Sequence, residues 1–114
     1  MELRHLRYFV AVAEELHFRK AAERLHVAQP AVSEQIRKLE LELDVKLLER
    51  DHRSVSLTDA GAVLLRDARH VLHLAETAKQ AVRRADGAPA ARVRVGYLPD
   101  SLPASVHSAI RSQP

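Results

Sequence analysis

Several residue types are missing or rare in this sequence, and each absence narrows the possible classes of protein. There is no cysteine, which excludes disulfide bonds and thiolate metal sites and fits a reducing compartment. Glycine and proline number three and five among 114 residues, and 4% of residues are aromatic, so helices and a modest aliphatic core are favoured. The longest apolar run, YFVAVA, is far too short to cross a bilayer. We therefore expect a soluble intracellular protein that does not enter membranes.

Sequence features of an enzyme or a metal sensor are also weak. There is no glycine-rich phosphate loop, and no nucleophile has an obvious base and orienting group. The seven histidines include His70 and His73, three residues apart, but only Asp67 and Glu76 are acidic residues near them. Surface histidines are the better interpretation. The sequence predicts a binding protein without catalytic residues, metal or cofactor.

The net charge of +3 is not evidence for a nucleic-acid partner. Residues 1–58 contain ten Lys and Arg against ten Asp and Glu, so the excess lies in residues 59–114, with eight against five. Nucleic-acid binding must therefore be argued from where the charged side chains point.

Hydrophobic periodicity predicts three helices in the first 58 residues. A helix over roughly 2–16 carries apolar residues at three- and four-residue steps, namely Leu3, Leu6, Phe9, Val10, Ala13 and Leu16. A short helix over 19–25 buries Ala21, Ala22 and Leu25, with Phe18 at its entry. After the turn HVA, a third helix over 29–43 has Pro30 in its first turn and buries Val32, Ile36, Leu39 and Leu43.

The pattern then changes to two short apolar segments, VKLLER and SVSLT, around the polar tip DHR. We interpret these segments as a two-stranded hairpin. The fold class predicted for residues 1–58 is thus mainly α, a winged helix-turn-helix of three helices plus a two-stranded wing.

The exposed face of the third helix has the side chains that reading a DNA major groove requires. Gln29 can pair with adenine, Ser33 can donate or accept, and Arg37 or Lys38 can bind guanine or a phosphate. Arg50 and Arg53 flank the wing tip, while Arg19, Lys20 and Arg24 lie on or beside the second helix, within reach of a DNA backbone. Taken singly, each is better explained as part of a solvated face; their combination favours DNA.

A long helix is predicted next, with Thr58 as its N-cap and Asp59 complementing the helix dipole. It forms a linker and dimerisation helix over 59–86, because a heptad seam runs along it: Leu64, Ala68, Val71, Ala75, Ala78 and Val82. The segment DGAPAA ends this helix, and we assign 87–91 as a hinge. Residues 92–114 read as one strand and the opening of a helix, the truncated start of an α/β domain.

The motifs AAERLHVAQPAVS, QIRKLE, LLER and LTDAG closely resemble the N-terminal domain of LysR-type transcriptional regulators, over about residues 1–90. VRVGYLPDSLPA is weakly similar to the opening of that family's effector domain. The resemblance implies a cytoplasmic, homo-oligomeric regulator that binds double-stranded DNA and responds to a small-molecule inducer through the largely missing domain. It also implies that Gln29, Pro30 and Ser33 contact DNA from the recognition helix and Arg53 from the wing, whereas Arg50 could serve the structure of the wing.

Three departures from the family pattern stand out. Ala28 replaces the usual Ser or Thr before QP, forfeiting an N-cap worth about 1 kcal/mol. His17 and Arg19 replace small hydroxylic residues before the second helix, which we expect to exchange a cap for positive charge. Asp44 replaces a glycine after the third helix, at a small cost if its backbone is left-handed.

Glu34 has two interpretations. As a specificity residue it could accept a hydrogen bond from a cytosine amino group or reject DNA sites that place a phosphate beside it. Alternatively, it could pair along the helix with Lys38. For the whole chain the main expectation is sequence-specific binding to an interrupted palindrome as a dimer, with higher oligomers in the full-length protein. The alternative is a helical dimerisation or interaction module that does not read DNA.

Overall fold

The computed structural model describes residues 1–87 and has the element order expected from the sequence. Its elements are α1 Leu3–Glu15, α2 Phe18–Leu25, α3 Gln29–Leu43, β1 Leu48–Arg50, β2 Val55–Leu57 and α4 Asp59–Asp86. The predicted winged helix-turn-helix followed by a long helix is therefore confirmed. The predicted α/β segment over 92–114, and the hinge beyond Gly87, lie outside the described residues.

The chain forms two units, the first being Met1–Ala75 and the second beginning at Glu76. The first unit contains the three short helices, the wing and the N-terminal part of α4. The described part of the second unit is helical to Asp86. None of the helices in residues 1–87 combines the length and apolar character that a membrane crossing requires.

The core of the first unit lies where α1, α2 and α3 meet. Its largest fully buried side chains are Phe9, Val12, Val32, Ile36, Leu39 and Leu47. Most of the predicted apolar stripes face this core, because side chains three and four residues apart share one side of a helix. Leu43 was predicted to be buried and is not: it is 36% exposed, in the last turn of α3. Leu3 and Leu16, at the ends of α1, are 40% and 42% exposed.

Left-handed residues end all three short helices. Leu16, His26 and Asp44 have φ values of 50°, 60° and 56°, and each backbone N–H bonds back to the preceding helix. The left-handed backbone considered for Asp44 is therefore present. Asp tolerates this conformation better than most residues, though less freely than the glycine it replaces.

The N-cap of α3 is as predicted from the sequence, and that of α2 is not. Ala28 precedes α3 without a side-chain cap, as predicted. His17, however, is a working N-cap, because its Nδ1 accepts the backbone N–H of Lys20 at 3.1 Å. The expectation that His17 gives up a cap is wrong. The bond requires an Nδ1 without a proton, so this interaction needs the neutral imidazole.

The wing is a two-stranded antiparallel hairpin in which Leu48 pairs with Leu57 and Arg50 with Val55. Long-range polar contacts fix its base. Glu40 Oε2 in α3 accepts the backbone N–H groups of Leu47 and Leu48 at 2.8 and 3.3 Å. The carboxylate thus ties the start of β1 to α3.

The start of α4 is bound to the chain before the wing. Thr58 Oγ1 accepts the N–H of Gly61 at 3.0 Å, which confirms the predicted cap, and donates to the Lys46 carbonyl at 2.7 Å. The backbone N–H of Thr58 donates to the Leu47 carbonyl at 3.1 Å. Gly61 is buried and packs against the Leu47 carbonyl group, just before β1.

The N-terminal part of α4 packs on its own domain. Ala68 is 1% exposed and forms a small cluster with Leu6 and Val10 of α1, flanked by Leu64, Leu65 and Leu72. Ala68 was predicted to lie in a dimer interface, but its side chain is covered by α1 and has almost no surface left for a second copy. Leu64 is also partly buried against the same domain.

Candidate nucleic-acid interface

The outward face of α3 carries the predicted base-reading residues. Gln29 and Pro30 are exposed in the first turn, and Ser33 is half-buried one turn later. Arg37 and Lys38 follow as exposed residues on the next turn. The first turn of this face thus carries uncharged groups, and charged side chains begin at Glu34. Such a face can enter a groove at its N-terminal end.

Glu34 is bound to Arg37, not to Lys38. Arg37 Nη2 donates to Glu34 Oε2 at 2.7 Å, and Arg37 Nε donates to Glu34 Oε1 at 3.1 Å. These hydrogen bonds hold the pKa of the Glu34 carboxyl below its usual range, and the Glu34 carboxylate raises the pKa of Arg37. The intrahelical pair that was considered therefore exists, but with the residue three positions on, because guanidinium geometry allows two parallel bonds.

The wing tip has a defined shape that Asp51 sets. Its Oδ1 accepts the backbone N–H groups of Arg53 and Ser54, both at 2.8 Å, and the Asp51 N–H donates to the Ser54 carbonyl. The two backbone donors lower the pKa of the Asp51 carboxyl. Arg53 thereby stands on an ordered turn with an exposed side chain.

Arg50 makes a cation–π contact with Phe18 of the same chain. Its guanidinium carbon lies 4.3 Å from the centroid of the Phe18 ring, and Phe18 is only 7% exposed. A cation over an aromatic face is attracted by the ring quadrupole. The contact joins the wing to the first residue of α2 and suits the structural role considered for Arg50.

Four of the predicted DNA contacts line one cleft of the first unit. The cleft runs between the start of α2, the start of α3 and the wing, and its walls include Arg19, Gln29, Arg50 and Arg53. Its polar remainder comes from His17, Asp51, His52 and Ser54. The Gln29 amide and three arginines therefore line one open cleft.

Other predicted residues are not part of this cleft. Arg37 lines a separate groove toward the C-terminal end of α3, with Asp44 and Lys46. Lys20 and Lys38 are exposed and line neither groove.

Arg24 is committed to α1, since it donates to Glu14 at 2.7 Å and to Glu15 at 3.2 Å. The expectation that Arg24 serves a DNA backbone is therefore not supported by its contacts. Arg19 lies 3.7 Å from Glu23, one turn along α2.

Sequence reasoning missed two residues that shape the interface. Asp51 followed three residues later by Ser54 is a turn signal, so the tip could have been predicted from DHRS. Glu40 gave no local signal, because its partners are seven and eight residues away and are backbone N–H groups.

The remaining predicted positions on α4 are more open than Ala68. In the first unit Val71 is 43% exposed and Ala75 is half-buried. In the second unit Ala78 is exposed and Val82 is 68% exposed. Within residues 1–87 no three His, Asp or Glu side chains are grouped so as to hold a metal ion.

Comparison with known proteins agrees with this geometry. Residues 3–62 match the family described as bacterial regulatory helix-turn-helix protein, lysR family. The regulator YnfL of Escherichia coli K12, an HTH-type transcriptional regulator by name, is 48% identical over 97 residues, covering 85% of this chain and 33% of YnfL. The chain spans about a third of the length of the curated relatives it matches.

Two solved DNA-binding domains, both crystallised with DNA, are similar in structure. The CbnR domain is 49% identical, with a TM-score of 0.72 over 75% of this chain and 99% of that domain. The BenM domain on its catB site is 46% identical, with a TM-score of 0.73 over 75% of this chain and 96% of that domain. The chain therefore belongs to the LysR family of bacterial regulatory helix-turn-helix proteins and carries the DNA-binding domain of that family.

Proposed function

We propose that this chain binds double-stranded operator DNA in a sequence-specific manner, with α3 in the major groove and the wing on the flanking backbone or minor groove. The observation that carries the proposal is the cleft in which Gln29 of α3 faces the same opening as Arg19, Arg50 and Arg53. An amide can read a base edge, and the surrounding cations can neutralise phosphates. The similarity to the DNA-bound CbnR and BenM domains supports the same assignment.

Roles within the proposed interface follow from side-chain chemistry. Gln29 and Ser33 carry base recognition, and Pro30 makes an apolar contact at the groove edge. Arg53 contacts DNA from the wing tip, whereas Arg50 mainly holds the wing on Phe18. We assign phosphate contacts to the exposed cations Arg19, Lys20 and Lys38, because neutralising a phosphate requires a positive charge near the DNA backbone and no base readout.

The test is a fluorescence-anisotropy titration of a selected operator and of scrambled DNA at two salt concentrations. Gln29→Ala should reduce the preference for the operator and leave the salt dependence unchanged. Arg53→Ala should weaken both complexes and lower the salt slope by about one. Arg66→Ala, which removes a cation paired with Asp67 on α4, is the matched control and should change neither. Equal affinity for operator and scrambled DNA would favour the alternative, an interaction module that does not read sequence.

We also propose that the chain binds DNA as a homodimer joined through α4. Apolar side chains exposed along this helix support the proposal: Val71, Ala75, Ala78 and Val82 from the predicted seam, with Leu74 beside them at 68% exposure. Alanine in such a seam permits close approach of a second helix. Two copies would present two recognition helices to the halves of an interrupted palindrome.

Analytical ultracentrifugation tests this assembly. The chain should sediment as a dimer at micromolar concentration, and Val71→Glu should shift it to monomer. Val63→Glu introduces the same charge at an apolar α4 position of similar exposure, 51%, outside the seam, and should leave the dimer intact. A wild-type chain that stays monomeric at high micromolar concentration would contradict the proposal.

This chain matches about a third of the length of its curated relatives. We propose that the whole protein is a cytoplasmic transcriptional regulator. Its activity is binding without catalysis or a cofactor. A small-molecule inducer would bind the effector domain expected of such a regulator, and higher oligomers would form through that domain.

A further inference from the structure

The two bonds between Glu34 and Arg37 use one edge of the guanidinium. Arg37 donates through Nε and through Nη2 to the two carboxylate oxygens. A guanidinium has five N–H donors, so the two on Nη1 and the second one on Nη2 remain. One N–H on each Nη atom forms the far end of the planar group. A second bidentate acceptor can therefore be bound there without breaking the pair.

Both residues lie on the exposed face of α3. Their side chains are 44% and 58% exposed for Glu34 and Arg37. Arg37 follows Ser33 by four residues, so the two side chains are neighbours on one side of the helix. Arg37 thus lies one turn after Ser33 on α3, between the predicted base-reading positions and the groove that it lines with Asp44 and Lys46.

Guanine presents two acceptors, O6 and N7, side by side in the major groove, and the end of a guanidinium matches that spacing. A free arginine must give up many rotamers to make this contact, whereas an arginine already held by a carboxylate gives up fewer. In a major groove the carboxylate would lie near DNA phosphates, and pairing with Arg37 would offset its charge.

We infer that Glu34 is a positioning residue that holds Arg37 for end-on recognition of a guanine, so that the two side chains read one base pair as a unit. The inference rests on the proposed function, since it assumes that α3 enters the major groove. It gives Glu34 a role in specificity without a direct base contact, in contrast to acceptance from cytosine.

Selection of binding sites from random DNA tests the inference with six versions of the chain: wild type, Glu34→Ala, Arg37→Ala, Arg37→Lys, Lys38→Ala and the double variant Glu34→Ala with Arg37→Ala. Alanine is the best helix former, so the alanine variants keep α3 helical, and circular dichroism checks this. Arg37→Lys keeps the charge but lacks the planar fork needed for two parallel bonds at each edge.

One base pair of the wild-type site should require guanine, by about tenfold or more over adenine in a titration. Glu34→Ala, Arg37→Ala and Arg37→Lys should each lose most of this preference, at the same base pair. The double variant Glu34→Ala with Arg37→Ala should lose no more than Arg37→Ala alone, because both changes remove one unit. Lys38→Ala should weaken binding and lower the salt slope without changing the preferred bases.

Three results would overturn the inference. If Glu34→Ala changes a different base pair from Arg37→Ala, Glu34 reads a base directly. If neither variant changes any base preference while the wild type selects a clear site, the pair is only a surface ion pair and the proposed function stands. If the wild type selects no site, the proposed function fails, and this inference falls with it.

Discussion

Replacing Gly61 by alanine tests how tightly α4 is bound to the domain. A Cβ atom at this position would lie 2.1 Å from the Leu47 carbonyl oxygen and 3.0 Å from Leu57 Cδ2. The first of these neighbours is backbone, so it cannot rotate away as a side chain would. The helix start must therefore move by roughly 1 Å or more to restore ordinary contact distances.

The expected change in unfolding free energy for Gly61→Ala is the sum of opposing effects. Alanine gains about 1 kcal/mol over glycine in helix propensity. Overpacking costs about 1 to 3 kcal/mol. Moving the helix start also strains two bonds at the same point, from the Thr58 hydroxyl to Lys46 and from the Thr58 N–H to Leu47, worth about 1 kcal/mol each. The variant should lose about 2 to 4 kcal/mol of unfolding free energy.

Urea unfolding followed by circular dichroism at 222 nm measures this loss, since helix dominates the described fold. Ala62→Gly, at the neighbouring exposed position, is the matched control and should cost about 1 kcal/mol, from propensity alone. If Gly61→Ala is as stable as the wild type or more stable, the close packing of α4 on the Leu47 carbonyl is refuted.

Three further predictions concern local structure. His17→Ala should lower the unfolding free energy by about 1 kcal/mol through loss of the α2 cap, and Ala28→Ser should raise it by a similar amount if serine caps α3, both measured in urea. Asp51→Ala should destabilise the wing at neutral pH. Because folding lowers the Asp51 pKa, its stabilising effect is complete above the usual carboxyl range and is lost as pH falls through the lowered pKa. The difference from wild type should therefore shrink in acid; a constant difference would contradict the hydrogen-bonded turn.

Periodicity was sufficient to predict the elements of this fold. Predicted helix limits agree with α1, α3 and α4 to within about one residue, because apolar spacing and capping residues are local signals. The wing followed from two β-branched segments around a polar tip. Periodicity failed where burial depends on a neighbour: Leu43 has the right spacing but lies beyond the core, and Ala68 continues a heptad seam but is covered by α1.

The residues of the candidate site were predicted more completely than their contacts. Arg19, Gln29, Arg50 and Arg53 were all identified by residue type and do line one cleft. What the sequence could not supply was the choice of partner. Arg37 competes with Lys38 for Glu34, and only side-chain geometry decides in favour of the two-bond pair.

The zero net charge of residues 1–58 is explained in part by ion pairs within the protein. Glu14 of α1 accepts hydrogen bonds from Arg24 of α2, at 2.7 Å, and from Arg69 of α4, at 2.9 Å. These bonds, above all that from Arg24, hold the pKa of the Glu14 carboxyl below its usual range. The cluster joins three helices, and it uses an arginine that the sequence alone had suggested for DNA.

Several acidic side chains are engaged away from the cations of the cleft, although Glu23 lies 3.7 Å from Arg19. Glu14 faces Arg24 and Arg69, and Glu42 pairs with the N-terminal amine. The acid that does line the cleft, Asp51, directs Oδ1 to backbone N–H groups of its own turn. A domain with zero net charge can therefore present a positive channel, because electrostatic attraction of DNA depends on the arrangement of charges near the phosphates more than on their sum.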